Sequence, residues 1–223
     1  LDLNRTYDEH GNFAFSYSPH DRSQVFNASL LGSRMLARIY HYTTEQSLLE
    51  DARKSVDFCV KHQQHDGSWT YSTLPFHQWI DSFHTGYNLE CISEFQKYAG
   101  EQKYQDVIEK GFQYYISRFF LEDGRSKYYH NSLYPIDVHA AAQCIITLNR
   151  LGKAQGFREM AERVLLWVIR HMQDEKGYFY FQMKKGHISK IPYIRWAQGW
   201  MFFALTDYLR EFCPEAWYAE SEG

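Results

Sequence analysis

A glycine followed by an aromatic strip recurs four times along the 223 residues, as Gly11–Tyr17, Gly67–Tyr71, Gly124–Tyr129 and Gly177–Phe181. The glycines stand 56, 57 and 53 residues apart. A period of this length marks stacked supersecondary units, none of which buries its apolar face alone. An acidic residue stands shortly before each glycine: Asp8, Asp66, Asp123 and Asp174. Such a turn reverses the chain where a helix ends.

The segments between the glycines repeat as well. Each short extended strip leads to an apolar helix, expected near Ser23–Tyr40, Asp81–Tyr98, Asp137–Leu151 and Arg195–Phe212. Their starts carry Asn27–Leu30, His84–Tyr87, His139–Ala142 and Trp196–Gly199, and the first residues of these tetrads are 57, 55 and 57 apart. Amphipathic helices follow near Glu45–His62, Gln102–Phe120 and Phe157–Met172. In the last of them Met160, Val164, Trp167 and Met172 make one apolar face, with Glu159, Arg163 and Arg170 off it. The first kind is apolar nearly all round, as in Met201–Leu205, which predicts burial on every side and an inner layer. The amphipathic helices then form an outer layer. Small residues such as Gly32, Gly86, Ala140–Ala142 and Gly199 let inner helices approach closely.

Composition narrows the function. With 24 basic and 27 acidic residues the formal net charge is -3, so no nucleic-acid footprint is expected. No apolar run is long enough to span a bilayer. Cys59, Cys91, Cys144 and Cys213 form no C-x-x-C pair, which excludes zinc-ribbon and thioredoxin-type motifs. They read as reduced core residues, and with no signal peptide a cytoplasmic location is expected. Aromatic residues make up 18% of the chain. That excess fits either the space between large helices or a pocket that stacks on rings.

Inner and outer helices joined by Gly-aromatic turns resemble the α/α-toroid superfamily: six-hairpin glycosidases, uronate lyases, sugar epimerases, and terpenoid cyclases with protein prenyltransferases. Gln63–Trp69 fits the Q-x-x-x-G-x-W core of the cyclase motif, and Gln173–Phe179 is a variant ending in Phe. The acidic D-x-D-D motif of cyclases is absent. Asp137-Val-His139 with Cys144 does not match the prenyltransferase zinc pattern, so neither metal nor cofactor is expected. The fold expected is therefore all-α, an α/α toroid of about four repeats, near 11–66, 67–123, 124–176 and 177–214, within one domain over 1–214 and a polar tail at 215–223. The resemblance implies more hairpins than four. The ring is thus expected to be open or incomplete, with hairpins missing before Leu1, or to be closed by another chain of a homo-oligomer.

In a toroid the N-termini of the inner helices gather at one mouth, where their positive dipole ends point. Repeat one brings Tyr17, Asp21, Arg22 and Asn27 there. Repeat two brings Trp79, Asp81, His84 and Tyr87. Repeat three brings Tyr134, Asp137 and His139, and repeat four Tyr193, Arg195, Trp196 and Gln198. Asp81 and Asp137 are good N-caps, and His84 and His139 can be core imidazoles. Together they are also the convergence of titratable groups expected of a site. Asp81, Asp137, His84 and His139 are the catalytic candidates, and the others are candidates for substrate binding.

Two carboxylates on neighbouring repeats resemble the paired acids of unsaturated glucuronyl hydrolases, which implies glycoside hydrolysis. A lyase or epimerase acting on a uronic acid needs instead a base, an acid and a cation on the substrate carboxylate. His84 or His139 with Tyr134 or Tyr193, and Arg195, supply these. Rings such as Trp79, Tyr87, Tyr193 and Trp196 stack on pyranose faces. The expected function is action on, or binding of, a uronic-acid-containing poly- or oligosaccharide. The alternatives are a cyclase- or prenyltransferase-like protein and a non-catalytic glycan- or protein-binding domain.

Overall fold

The computed structural model describes residues 2–215. The chain divides into two compact units, with the boundary after Ile116.

The first unit opens with an antiparallel hairpin of β1 (Arg5–Tyr7) and β2 (Phe13–Phe15), in which Thr6 faces Ala14. Four helices follow: α1 (Phe26–Thr43), α2 (Gln46–Lys61), α3 (Ser82–Ala99) and α4 (Gln105–Phe119), the last running across the boundary. α1 packs against both α2 and α3, as an inner helix does. Trp69, Phe13, Phe15, Phe95, Phe112 and Tyr115 fill the core of this unit.

The second unit contains β3 (Ile136–Asp137), α5 (Val138–Arg150), α6 (Arg158–Met172), β4 (Gln182–Lys184), β5 (His187–Ser189) and α7 (Gly199–Phe212). A three-stranded sheet in the order β3-β4-β5 ties the start of α5 to the strip after Gly177. α5 packs on α6 and α7. On the amphipathic α6, Val164 and Met172 are buried while Glu159, Arg163 and Arg170 are exposed. The fourth inner segment differs from expectation, because a π-helical turn at Ile194–Gln198 precedes α7.

The repeat glycines explain the period. Gly11, Gly67, Gly124 and Gly177 all have φ between 78° and 97°. In each turn the preceding acid closes a loop: Asp8 Oδ1 accepts from the His10 and Asn12 amides, Asp66 from Ser68, Asp123 from Arg125, and Asp174 from Lys176. Two of the turns also touch a helix. A Cβ on Gly67 would lie 2.4 Å from the Lys110 carbonyl oxygen in α4, and one on Gly124 would lie 2.3 Å from that of Arg163 in α6. The Q-x-x-x-G spacing is scaffold as well. Gln63 Nε2 donates to the Gly67 and Val107 carbonyls, Trp69 Nε1 donates to that of Cys59, and Gln173 Nε2 donates to that of Gly177.

The inner layer is not uniform. α5 is buried almost all round, and so is most of α3. By contrast Met35 of α1 is 44% exposed and Phe202 of α7 is 75% exposed. The expectation of burial on every side of Met201–Leu205 therefore fails. Among the described residues α1 and α7 each have one inner-helix neighbour within their unit, and their other flanks face solvent. Cys59, Cys91 and Cys144 are buried free thiols, and burial pushes Cys59 up to about 12. Burial raises the Cys144 thiol too. No helix among the described residues is long and apolar enough to cross a membrane. Most of the polar tail expected at 215–223 lies outside the described residues.

Candidate functional site

In the first unit the candidates converge at the start of α3. Asp81 is its N-cap, and one carboxylate oxygen accepts the His84 amide at 3.0 Å. The other accepts Trp79 Nε1 at 3.1 Å and lies 2.7 Å from His84 Nδ1. A carboxylate offers only acceptors, so Nδ1 of His84 donates to Asp81, and Nε2 is the ring nitrogen not engaged by it. Asp81 is 2% exposed, whereas the His84 side chain is 21% exposed. The carboxylate is thus fully engaged below the surface, and the imidazole is the group that reaches solvent.

Aromatic rings frame that imidazole. Tyr71 stacks on Trp79 with centroids 4.7 Å apart and planes 17° apart, and lies 4.8 Å from His84. His77 sits edge-on to Trp79, held by Ser72 Oγ at 3.0 Å from its Nδ1. Tyr87 approaches His84 from the next turn of α3. Burial, then the charges of Tyr17 and Asp81, raise the Tyr71 hydroxyl pKa, so the phenol stays protonated at neutral pH.

The residues expected from the first repeat contribute less. Asp21 staples its own loop, taking hydroxyl and amide hydrogens from Ser18 and Ser23, and these bonds hold its pKa well below the usual carboxylate range. Tyr17 and Arg22 are exposed. Asn27 is buried at the start of α1, and its Oδ1 has no hydrogen-bond partner.

The second unit repeats the Asp–His arrangement with different partners. Asp137 caps α5, accepting the His139 amide at 2.8 Å on one oxygen and Gln182 Nε2 at 3.0 Å on the other. It is 2% exposed. His139 is 8% exposed and stacks on Trp200 at 4.3 Å and 20°. Tyr193 packs edge-on to Phe181 and near Trp196, and Arg195 lies 5.3 Å over the Trp196 ring. Tyr134 is half-buried, just before β3. Gln198 clamps the post-glycine strip, donating to the Phe179 carbonyl and accepting from its amide. Both ends of its amide are occupied by backbone, which leaves it a scaffold role.

Three residues of these clusters escaped the sequence reading: Tyr71, Gln182 and Trp200. Tyr71 belongs to a post-glycine strip, and such strips read as structural. Trp200 lies one helical turn beyond Trp196, the one signal that marked it. The Lys184–His187 loop is the exposed tip between β4 and β5.

No protein-family model matches the chain. No curated protein matches it either. Solved structures do. A cellobiose 2-epimerase from Spirochaeta thermophila aligns with a TM-score of 0.75 at 13% identity, over 92% of this chain and 60% of its own. A sugar epimerase from a ruminal bacterium aligns at 0.73 and 12% identity, over 94% and 61%. An unsaturated glucuronyl hydrolase from a Bacillus species aligns at 0.67 and 13%, over 88% and 61%. The fold is therefore that of the α/α toroids. The chain spans about three fifths of the length of these structures.

Proposed function

We propose that this chain is a carbohydrate-active α/α-toroid protein, acting on a uronic-acid-containing oligo- or polysaccharide. His84 is its leading proton-transfer group. The observation that carries this reading is the dyad in the first unit: Asp81 orients His84 through Nδ1, which leaves Nε2 unbonded to Asp81 on an imidazole that reaches solvent. The stacked Tyr71–Trp79 pair beside it offers a flat apolar face of the kind that receives a pyranose ring.

The state of the two carboxylates bears on the reaction. Hydrolysis needs one carboxylic acid and one carboxylate facing the glycosidic bond. Asp81 and Asp137 are both 2% exposed, and their oxygens accept N–H groups. That favours positioning roles for both and favours imidazole-mediated proton abstraction, as in epimerisation or elimination, over carboxylate-driven hydrolysis. The glucuronyl hydrolase among the similar folds supports a uronic-acid substrate, and the epimerases support a sugar substrate more broadly. Arg195, stacked over Trp196, is the candidate cation for a substrate carboxylate in the second unit.

The test is incubation with a panel of uronic-acid-containing oligosaccharides in deuterium oxide. Proton abstraction next to a carbonyl or carboxylate, followed by reprotonation from solvent, places deuterium on sugar carbon, read by NMR. Elimination instead gives the ultraviolet absorbance of a C4–C5 double bond. His84→Gln should lower either signal by at least about 100-fold. An unchanged rate in that variant removes His84 from the chemistry.

A further inference from the structure

The second unit holds a cavity that the proposed chemistry does not use. It opens between the last turn of α5 and the second half of α7, with a volume of about 190 Å³. Asn149, Arg150, Asp207, Arg210 and Glu211 line it. From the Asp137 cap to Asn149, α5 rises by about 18 Å, so this cavity is separate from Asp137 and His139. Its volume lies below the roughly 300 Å³ at which drug-sized pockets begin, so it admits a single small metabolite rather than a chain of sugars.

Two acceptors in its wall lack donors. Asp207 is 8% exposed, and among the described residues its carboxylate has no hydrogen-bond or ion-pair partner. Asn149 Oδ1 is buried and accepts nothing. Buried acceptors are costly unless something donates to them, and a buried carboxylate most of all. The neighbouring cations are engaged elsewhere or turned outward. Arg150 lies 5.7 Å over the Phe203 ring, and Arg210, on the next turn of α7 after Asp207, is exposed. Glu211 accepts Gln155 Nε2 at 2.9 Å.

The lining defines its guest. Every lining side chain is polar or charged, so an apolar molecule finds no complement there. Two carboxylates and two guanidiniums call for a ligand with both charge signs. A bare metal ion would suit the acceptors but face two guanidiniums; an inorganic anion would suit the guanidiniums but face Asp207. An ammonium group brings three N–H donors to Asp207 and Asn149 Oδ1, and a carboxylate accepts the paired N–H groups of a guanidinium. We propose that this cavity binds a free α-amino acid, with its ammonium on Asp207 and Asn149 Oδ1 and its carboxylate on the guanidiniums of Arg150 and Arg210. The proposal does not rest on the chemistry assigned to His84.

Isothermal titration of the 223-residue chain with each common amino acid in turn tests it. At least one should bind in a 1:1 complex with a Kd below about 1 mM. For that ligand, the amine lacking the carboxylate and the acid lacking the amine should each bind at least about tenfold more weakly. Asp207→Asn and Arg210→Gln should each weaken the amino acid by a similar factor. Arg210 is exposed, so its variant should keep the circular dichroism of the unmodified chain and remains informative if Asp207→Asn does not fold. No binding by any amino acid up to about 10 mM would overturn the proposal. So would binding that a folded Asp207→Asn or Arg210→Gln leaves unchanged, or an amine without its carboxylate that binds as tightly as the amino acid.

Discussion

Replacing Gly67 and Gly11 separately by alanine tests the repeat at its most specific point. Both glycines lie in the first unit, with φ of +97° and +78°. An alanine at either position is held in the left-handed region, at a cost of about 1 kcal/mol. The surroundings differ. Nothing lies within 4 Å of a Cβ on Gly11, whereas one on Gly67 would meet the Lys110 carbonyl oxygen at 2.4 Å and its carbon at 2.9 Å. Backbone in α4 cannot swing aside as a side chain does, so helix and turn must separate. Overpacking of this kind costs a further 1–3 kcal/mol or so. Gly11→Ala should thus destabilise by about 1 kcal/mol and Gly67→Ala by about 2–4. The second unit provides the same comparison, with Gly124 against Arg163 and Gly177 in open space. Urea denaturation followed by circular dichroism measures all four, and comparing within a unit keeps the unfolding reaction the same. If Gly67→Ala and Gly11→Ala agree within about 0.5 kcal/mol, the close turn-on-helix contact is not what fixes the period.

Three further outcomes follow from the side chains. Asp81→Ala should destabilise the first unit by about 1–2 kcal/mol in the same assay, because the α3 cap is lost and the Trp79 indole loses its acceptor. Asp21 has a folded pKa below its unfolded value, so its stabilising effect is present above about pH 4 and is lost as the pH falls. Hydrogen exchange should show the Ser18 and Ser23 amides losing protection on acidification, and Asp21→Asn should abolish that dependence. Among the cysteines, Cys213 is half-exposed, while Cys59, Cys91 and Cys144 are buried with raised thiol pKa values. A colorimetric thiol reagent should therefore react quickly at Cys213 alone in the native protein and at all four after denaturation.

The glycine period and the two helix types were legible because they follow from backbone requirements. A left-handed turn needs glycine, and burial needs apolar spacing. Most expected helix bounds differ from the observed ones by no more than three residues. The site was less legible. Asp81 and Asp137 read equally as caps or catalysts, since an N-cap and a general acid use the same side chain. What separates them is where the second carboxylate oxygen points, and Trp79, His84 and Gln182 determine that. Gln198 misled for a similar reason: its amide pairs with the Phe179 backbone, 19 residues away. Nor did spacing indicate that Tyr71 would leave its strip to stack on Trp79, or that Trp200 would meet His139.

The most direct test of the proposed chemistry is deuterium incorporation from solvent into a uronic-acid-containing oligosaccharide, compared between the unmodified chain, His84→Gln and Asp81→Asn. The account predicts carbon-bound deuterium, or the ultraviolet absorbance of a C4–C5 double bond, with the unmodified chain, a loss of at least about 100-fold in either signal in His84→Gln, and a smaller but clear loss in Asp81→Asn, where the imidazole keeps its place but loses its charged partner. Glycosidic cleavage that gives neither deuterium on carbon nor a C4–C5 double bond, is unchanged in His84→Gln and is abolished in Asp81→Asn would contradict it and make the carboxylate the catalyst.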